Sequence, residues 1–330
     1  RGLSVLLSCL TLGWTWRIAR AAFPARPAVA AMAVLFLALH PMRAYMAAAM
    51  HNDPAAECAL AVGLWLILAR RPAWQIGLAA GIGLLTKVHL GLLLPCYAVW
   101  IGTDSARGAT WRERWFSRRG LRDLAGAAGV CLAVGAPWML RNLRLYGWAD
   151  PLALRAGALG SAAAELAAFG QARPRLGWSG PYGLAEFLRR LWTSWWGVYG
   201  WMSIWPPRQV LWAYAALTVA PLAGLAVALL RQPTDSVPAD GAGRTVAWLA
   251  FVPLLWLAAL IVYCRSDFQP QGRYLLTAGP AWAVLFAAGW HALPRPIRGP
   301  AVAGSLLLLA FINFKAVWSV IPWYLKLATP

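Results

Sequence analysis

The sequence predicts an all-α fold, a polytopic bundle of transmembrane helices, on three observations. Hydrophobic residues fill 61% of the 330 positions and charged residues only 12%, about half the charged share of an ordinary soluble domain. The apolar residues fall into runs near the length that crosses a bilayer, roughly 20 residues, or fewer where the ends snorkel. Twenty-two tryptophans, many near the ends of those runs, match the aromatic belts of membrane–water interfaces.

Taken in order, the runs predict nine or ten spans within one transmembrane domain covering 1–330. They lie near 2–16, 28–49, 54–69, 73–86, 88–102, 123–140, 209–230, 246–263, 274–291 and 301–322. The stretch 73–101 is too long for one straight crossing and carries Lys87 in its middle. A hairpin of two short helices with Lys87 at the bend accounts for it; a single tilted helix with Lys87 buried is the alternative. Between 141 and 208 the chain forms a long loop, and within it PYGLAEFLRRLWTSWWGVYGWMSIWPP occupies 181–207. Leu184, Phe187, Leu188 and Leu191 recur at helical spacing, which predicts a helix lying in the interface. The aromatic residues after them, Trp192 to Trp205, read as a belt or as a flat wall for a sugar ring or prenyl chain.

Orientation follows from arginines in short loops, which favour the cytoplasmic side. Alternate loops collect Arg17, Arg20 and Arg26; Arg70 and Arg71; six arginines between 107 and 122; Arg231 and Arg244; and Arg295 and Arg298. That set is assigned to the cytoplasm. Residues 51–53, Lys87, the loop 141–208 and the segment 265–273 then face outward, across an inner (plasma) membrane. The assignment requires the hairpin, since one span fewer reverses the second half.

The formal charge is +19, and all but three of the 30 basic residues are arginine. No soluble basic domain or nucleic-acid motif accompanies the charge, so nucleic acid is not the expected partner. Membrane lipid, or an anionic lipid-linked substrate, fits better. The outer loop breaks the positive-inside pattern with arginines that include Arg141 and Arg144 at the end of a span. Long loops cross regardless of charge, yet the planar fork of arginine also suits phosphate oxygens. Cys9, Cys58, Cys96, Cys131 and Cys264 stand singly in or beside apolar segments, which predicts small buried residues and not a disulfide framework or zinc site.

Residues 51–54 read His-Asn-Asp-Pro between two strongly apolar runs. Asp53 before Pro54 suits a helix start, with the carboxylate capping amide groups and proline at the first helical position. At the mouth of a span, such a polar cluster is also a candidate reaction site.

Five strings, in order, resemble one superfamily: the polytopic GT-C glycosyltransferases that use polyprenyl-phosphate sugars. They are His51-Asn52-Asp53, Leu85-Thr86-Lys87, Trp138-Met139-Leu140-Arg141-Asn142 with Leu145-Tyr146-Gly147, Gly197-Val198-Tyr199-Gly200-Trp201-Met202, and Gln271-Gly272-Arg273-Tyr274-Leu275. The chain is most similar to the family 39 group of protein mannosyltransferases and aminoarabinose transferase-like enzymes, and to related bacterial membrane proteins. Each string alone is weak; five in order, from about 30 to 292, are more specific. His51 departs from the usual asparagine, and Trp148-Ala149 separate Gly147 from Asp150. The resemblance further implies a first helix and an acidic outer loop ahead of Arg1, and hence a truncated chain that is inactive alone, with the principal base in that loop.

The resemblance implies a transferase moving a sugar from polyprenyl phosphate to an extracytoplasmic lipid, glycan or protein. Such transfer needs a base or orienter for the acceptor and cations for the leaving phosphate. Asp53, Asn52 and His51 are the candidates for the first role, and Lys87, Arg141, Arg144 and Arg273 for the second. Gln271, Tyr274 and Trp201 join the substrate-binding set, Gln271 and Tyr274 in a structural more than a catalytic capacity. His89 and His291 show no ligand spacing and a lone Asp53 is a poor cage for a divalent cation, so no metal or cofactor is expected. Two other functions stay open: a transporter or flippase of lipid-linked sugars, and a noncatalytic membrane partner descended from such enzymes.

Overall fold

The structure is a computed structural model that describes residues 1–104, 110–148, 150–153, 174–200, 202–230 and 242–328. Among these residues the chain forms 14 α-helices and no strand. In order they are α1 (Gly2–Ala22), α2 (Pro27–Ala38), α3 (Pro41–Ala48), α4 (Asp53–Leu68), α5 (Ala73–Thr86), α6 (Leu93–Thr103) and α7 (Trp111–Phe116). Then follow α8 (Arg118–Tyr146), α9 (Leu184–Gly197), α10 (Arg208–Leu230), α11 (Ala242–Cys264), α12 (Arg273–Leu276), α13 (Gly279–Ala292) and α14 (Arg295–Ala328).

Five helices are individually long and apolar enough to cross a membrane: α1, α8, α10, α11 and α14. The bent pair α2–α3 makes a sixth if it is one span. This is fewer than the nine or ten spans expected, because α4, α5 and α13 have only 16, 14 and 14 residues. At 1.5 Å per residue these reach about 21–24 Å, short of a hydrocarbon core about 30 Å thick. The expected span 28–49 is broken at His40, where α2 and α3 meet at 60°. Pro41 has no amide hydrogen to continue α2, and it holds His40 extended at φ −66°, ψ 119°, as a residue before proline prefers.

The chain reverses at Lys87. Asn52, at the head of α4, donates from Nδ2 to Thr86 O at the end of α5 (2.9 Å). Arg70, just past the other end of α4, pairs with Asp104 at the end of α6 (3.3 Å). Helix α5 therefore runs antiparallel to α4, and α6 turns back to run beside it. The bend is a short 3-10 turn, Val88–Leu92, and the hairpin reading holds over the single tilted helix.

Contacts sort the basic loops to one end. Arg17 and Arg71 both lie over Trp65 near the end of α4 (5.5 and 5.3 Å), and Arg244 at the start of α11 bonds Asp104 (3.0 Å). Residues 51–53, Lys87 and Arg273 gather at the opposite end. Close helix approach depends on small residues, as in membrane interfaces generally: a Cβ on Gly77 of α5 would run into the backbone of Ala127 in α8.

Part of the Trp-rich segment belongs to the core. Trp195 and Trp196 of α9 are buried, and Trp196 is stacked between His40 (5.2 Å) and Tyr214 (5.3 Å). Phe36, Phe286 and Trp290 complete an aromatic core joining α2, α9, α10 and α13. The predicted apolar face of α9 is divided: Phe187 and Leu191 turn into the bundle, while Leu184 and Leu188 stay exposed. Trp201, and with it Arg155, Glu165 and Arg173 of the long loop, lie outside the described residues.

Candidate functional site

Asp53 opens α4, but its carboxylate does not cap the helix. The N-cap position is Asn52, with no side-chain capping bond. Pro54 is satisfied at the start because it has no amide to bond. Freed from capping, the carboxylate accepts from Lys87 Nζ at Oδ1 and lies 2.8 Å from His51 Nδ1 at Oδ2. The same Nδ1 accepts from the backbone amide of Asp53 (3.3 Å), so His51 folds back over the head of α4. The Asp53 side chain is 8% exposed and that of Lys87 12%, so the pair is withdrawn from water at the mouth of the bundle.

Arg273 and Tyr274 reach the same place from the other half of the chain. The Tyr274 ring has Lys87 Nζ on it at 5.8 Å and the Arg273 guanidinium at 5.3 Å. The Tyr274 hydroxyl donates to Gln269 Oε1 (3.0 Å), and Gln269 Nε2 donates in turn to Asp267 Oδ2 (2.7 Å). Tyr274 is thus an anchored platform beneath two cations. Gly272 lets this segment approach α9: its amide donates to Ser194 Oγ (2.8 Å), and a Cβ there would run into the backbone of Trp195.

The cations shape the local titration. His51 is pushed down to about 4, first by burial and then by the charges of Lys87 and Arg273, so its imidazole is neutral at pH 7. Lys87, at the bend, is pushed down to about 8 by burial and by Arg273.

The structure therefore unites Asp53, His51, Lys87, Arg273 and Tyr274, with Asn52 tying α4 to α5 beside them. It does not bring in three other predicted residues. Arg141 and Arg144 sit exposed on the last turns of α8, where Arg141 donates to Asn142 Oδ1 (3.3 Å). Both point away from the bundle, while Asn142 between them is buried and donates to Pro151 O (3.2 Å). Gln271 instead lines a separate cleft of about 480 Å³ with Arg189, Arg190, Trp205 and Phe268. Glu186 ties both arginines of that cleft, and their bonds, Arg189's first, hold it down to about 2.

A second ion pair escaped the sequence reading. Glu57 lies one turn below Asp53 on the same face of α4, and Arg43 Nε donates to both its oxygens (2.9 and 3.0 Å). Arg43 Nη2 also donates to Ser8 O (2.8 Å). Each side chain of the pair is 6% exposed. Ser8, Arg43, Asp53, Glu57 and Thr277 line one small cleft. The signal was present, for an acidic residue inside an apolar run is a functional candidate by default. Among the described residues, no group of three or more His, Cys, Asp or Glu side chains is placed to hold a metal.

Fold and site together define an all-helical protein with helices fit to cross a membrane and a buried carboxylate–cation cluster at one end. Comparison with protein-family models, with curated proteins and with solved structures returns no match.

Proposed function

We propose that the protein is a membrane glycosyltransferase of the GT-C type. It would transfer a sugar from a polyprenyl-phosphate donor to an extracytoplasmic lipid, glycan or protein acceptor. The observation that carries this reading is the meeting of three of the five resembling strings: Lys87 and Arg273 share the ring of Tyr274, and Lys87 bonds Asp53. In the reaction the acceptor oxygen or nitrogen attacks C1 of the sugar and the C1–O bond to phosphate breaks. The released polyprenyl phosphate carries the new negative charge, and Lys87 and Arg273 supply the opposite charge at a poorly hydrated place. Asp53, bonded to Lys87 through Oδ1 and with Oδ2 close to His51, suits orienting the acceptor, while the resemblance assigns the principal base to another acidic residue. The active face is the extracytoplasmic one if the arginine-rich end is cytoplasmic.

The buried Arg43–Glu57 pair favours a second reading. A charged pair in the bundle interior is what a transporter or flippase of lipid-linked sugars would use along its pathway. Proteoliposomes loaded with a polyprenyl-phosphate sugar separate the two. Cleavage of the donor, lost in Asp53→Asn and Lys87→Ala, supports the transferase. Movement of intact donor across the bilayer without cleavage supports the flippase and overturns the transferase.

A further inference from the structure

The arginine-rich end of the bundle contains a cleft of about 510 Å³ that the site above does not use. It opens between the α4–α5 turn, α6 and the first turns of α8. Arg70, Arg71, Arg119 and Arg122 line it, against Asp104 and Asp123. Asp104 is buried and already committed, since it accepts from Arg244 (3.0 Å) as well as from Arg70 (3.3 Å). Arg244 is itself fixed over the Trp100 ring at 4.0 Å. The cleft therefore keeps an excess of positive charge beside buried Tyr97 and Trp100 and exposed Trp74.

We propose that this cleft binds the phosphodiester headgroup of an anionic phospholipid. Guanidinium groups recognise phosphate oxygens by paired hydrogen bonds, which names the chemistry. The surface above the cleft names the source. Trp74, Leu78, Ile82 and Leu85 form an exposed apolar stripe along α5, leading from the cleft toward Lys87. A lipid with its phosphate between Arg119 and Arg122 lays its acyl chains on that stripe. A free phosphate has no use for it. This site is independent of the proposed transferase chemistry, which sits at the other end of α4 and α5.

Native mass spectrometry of the delipidated full chain tests the proposal. Phosphatidylglycerol, phosphatidylcholine of the same acyl chains, and sodium phosphate are the probes. The wild type is expected to retain phosphatidylglycerol about tenfold over phosphatidylcholine. In Arg119→Gln/Arg122→Gln the preference is expected to fall to about twofold or less. Arg208→Gln, at the opposite end, is expected to keep it. If the double variant does not fold, Arg122→Gln alone is read in the same assay and is expected to lose at least half of the preference. Equal retention of the two lipids by wild type overturns the proposal. So does a preference that survives in the arginine variants, or one that Arg208→Gln also loses. Displacement of phosphatidylglycerol by equimolar sodium phosphate overturns the lipid as the source of the anion.

Discussion

Lys87 Nζ donates to the Asp53 carboxylate across 34 residues of sequence, locking the bend after α5 onto the head of α4. Each side chain of this pair is nearly out of water, so each depends on the other. Removing one partner of a buried pair leaves an uncompensated charge and costs about 3–5 kcal/mol, whereas removing both costs much less. Asp53→Asn and Lys87→Met are each expected to lower stability by that order. The double variant should recover at least about 2 kcal/mol of the summed loss, read by chemical denaturation in detergent. Additive effects would show that the two groups do not interact.

Glu57 and Arg43 answer to the same logic one turn deeper in the bundle. Glu57→Gln is expected to destabilise by about 3–5 kcal/mol, and Arg43→Met/Glu57→Leu to come within about 1–2 kcal/mol of wild type. The paired replacement also separates the two functional readings. Donor cleavage retained in that variant assigns the pair to structure; substrate movement abolished in it assigns the pair to a transport path.

His51 makes stability depend on pH in a defined window. Its folded value of about 4 lies below the ordinary 6.5, so between those values the unfolded chain binds a proton that the folded chain does not. Stability contributed by this site is full above about pH 6.5 and falls as pH drops toward 4. His51→Gln should flatten the slope, with a difference of up to about 2 kcal/mol between pH 6.5 and 4. Melting curves of both proteins across that range measure it, and parallel pH profiles would contradict it.

Trp196 and Trp205 should behave differently although nine residues separate them in one Trp-rich string. Trp196 is fully buried between His40 and Tyr214, and Trp205 is 38% exposed beneath Arg189. Trp196→Ala is expected to cost about 3–5 kcal/mol, and Trp205→Ala about 0.5 kcal/mol or less. Equal losses in denaturation would return the segment to a single role.

Those two tryptophans also show where sequence reasoning stopped. The apolar runs, the reversal at Lys87 and the separation of basic loops from the His-Asn-Asp end were legible, because hydropathy and isolated charges act locally along the chain. The neighbours of Trp196 come from the α2–α3 break and α10, and no local pattern distinguishes a ring bound for that core from one bound for an interface. The break at His40-Pro41 is written in the sequence as a proline inside an apolar run, but average hydropathy hides a missing amide hydrogen. Glu57 was hidden in the same way by the alanines and leucine around it. Arg141 and Arg144 were placed at the same end as Lys87, but they lie on the exposed face of α8, and which face turns inward is set by packing against α5, not by their local sequence.

Asp53 and Lys87 carry the central claim, and donor cleavage tests it most directly. The full-length protein, purified and reconstituted with a polyprenyl-phosphate sugar and a membrane extract as acceptor source, is assayed for released polyprenyl phosphate. Wild type is expected to release it with transfer of the sugar, and folded Asp53→Asn and Lys87→Ala to release at least about 100-fold less, the scale of losing a group that stabilises the transition state. Unchanged release in both folded variants would contradict the account.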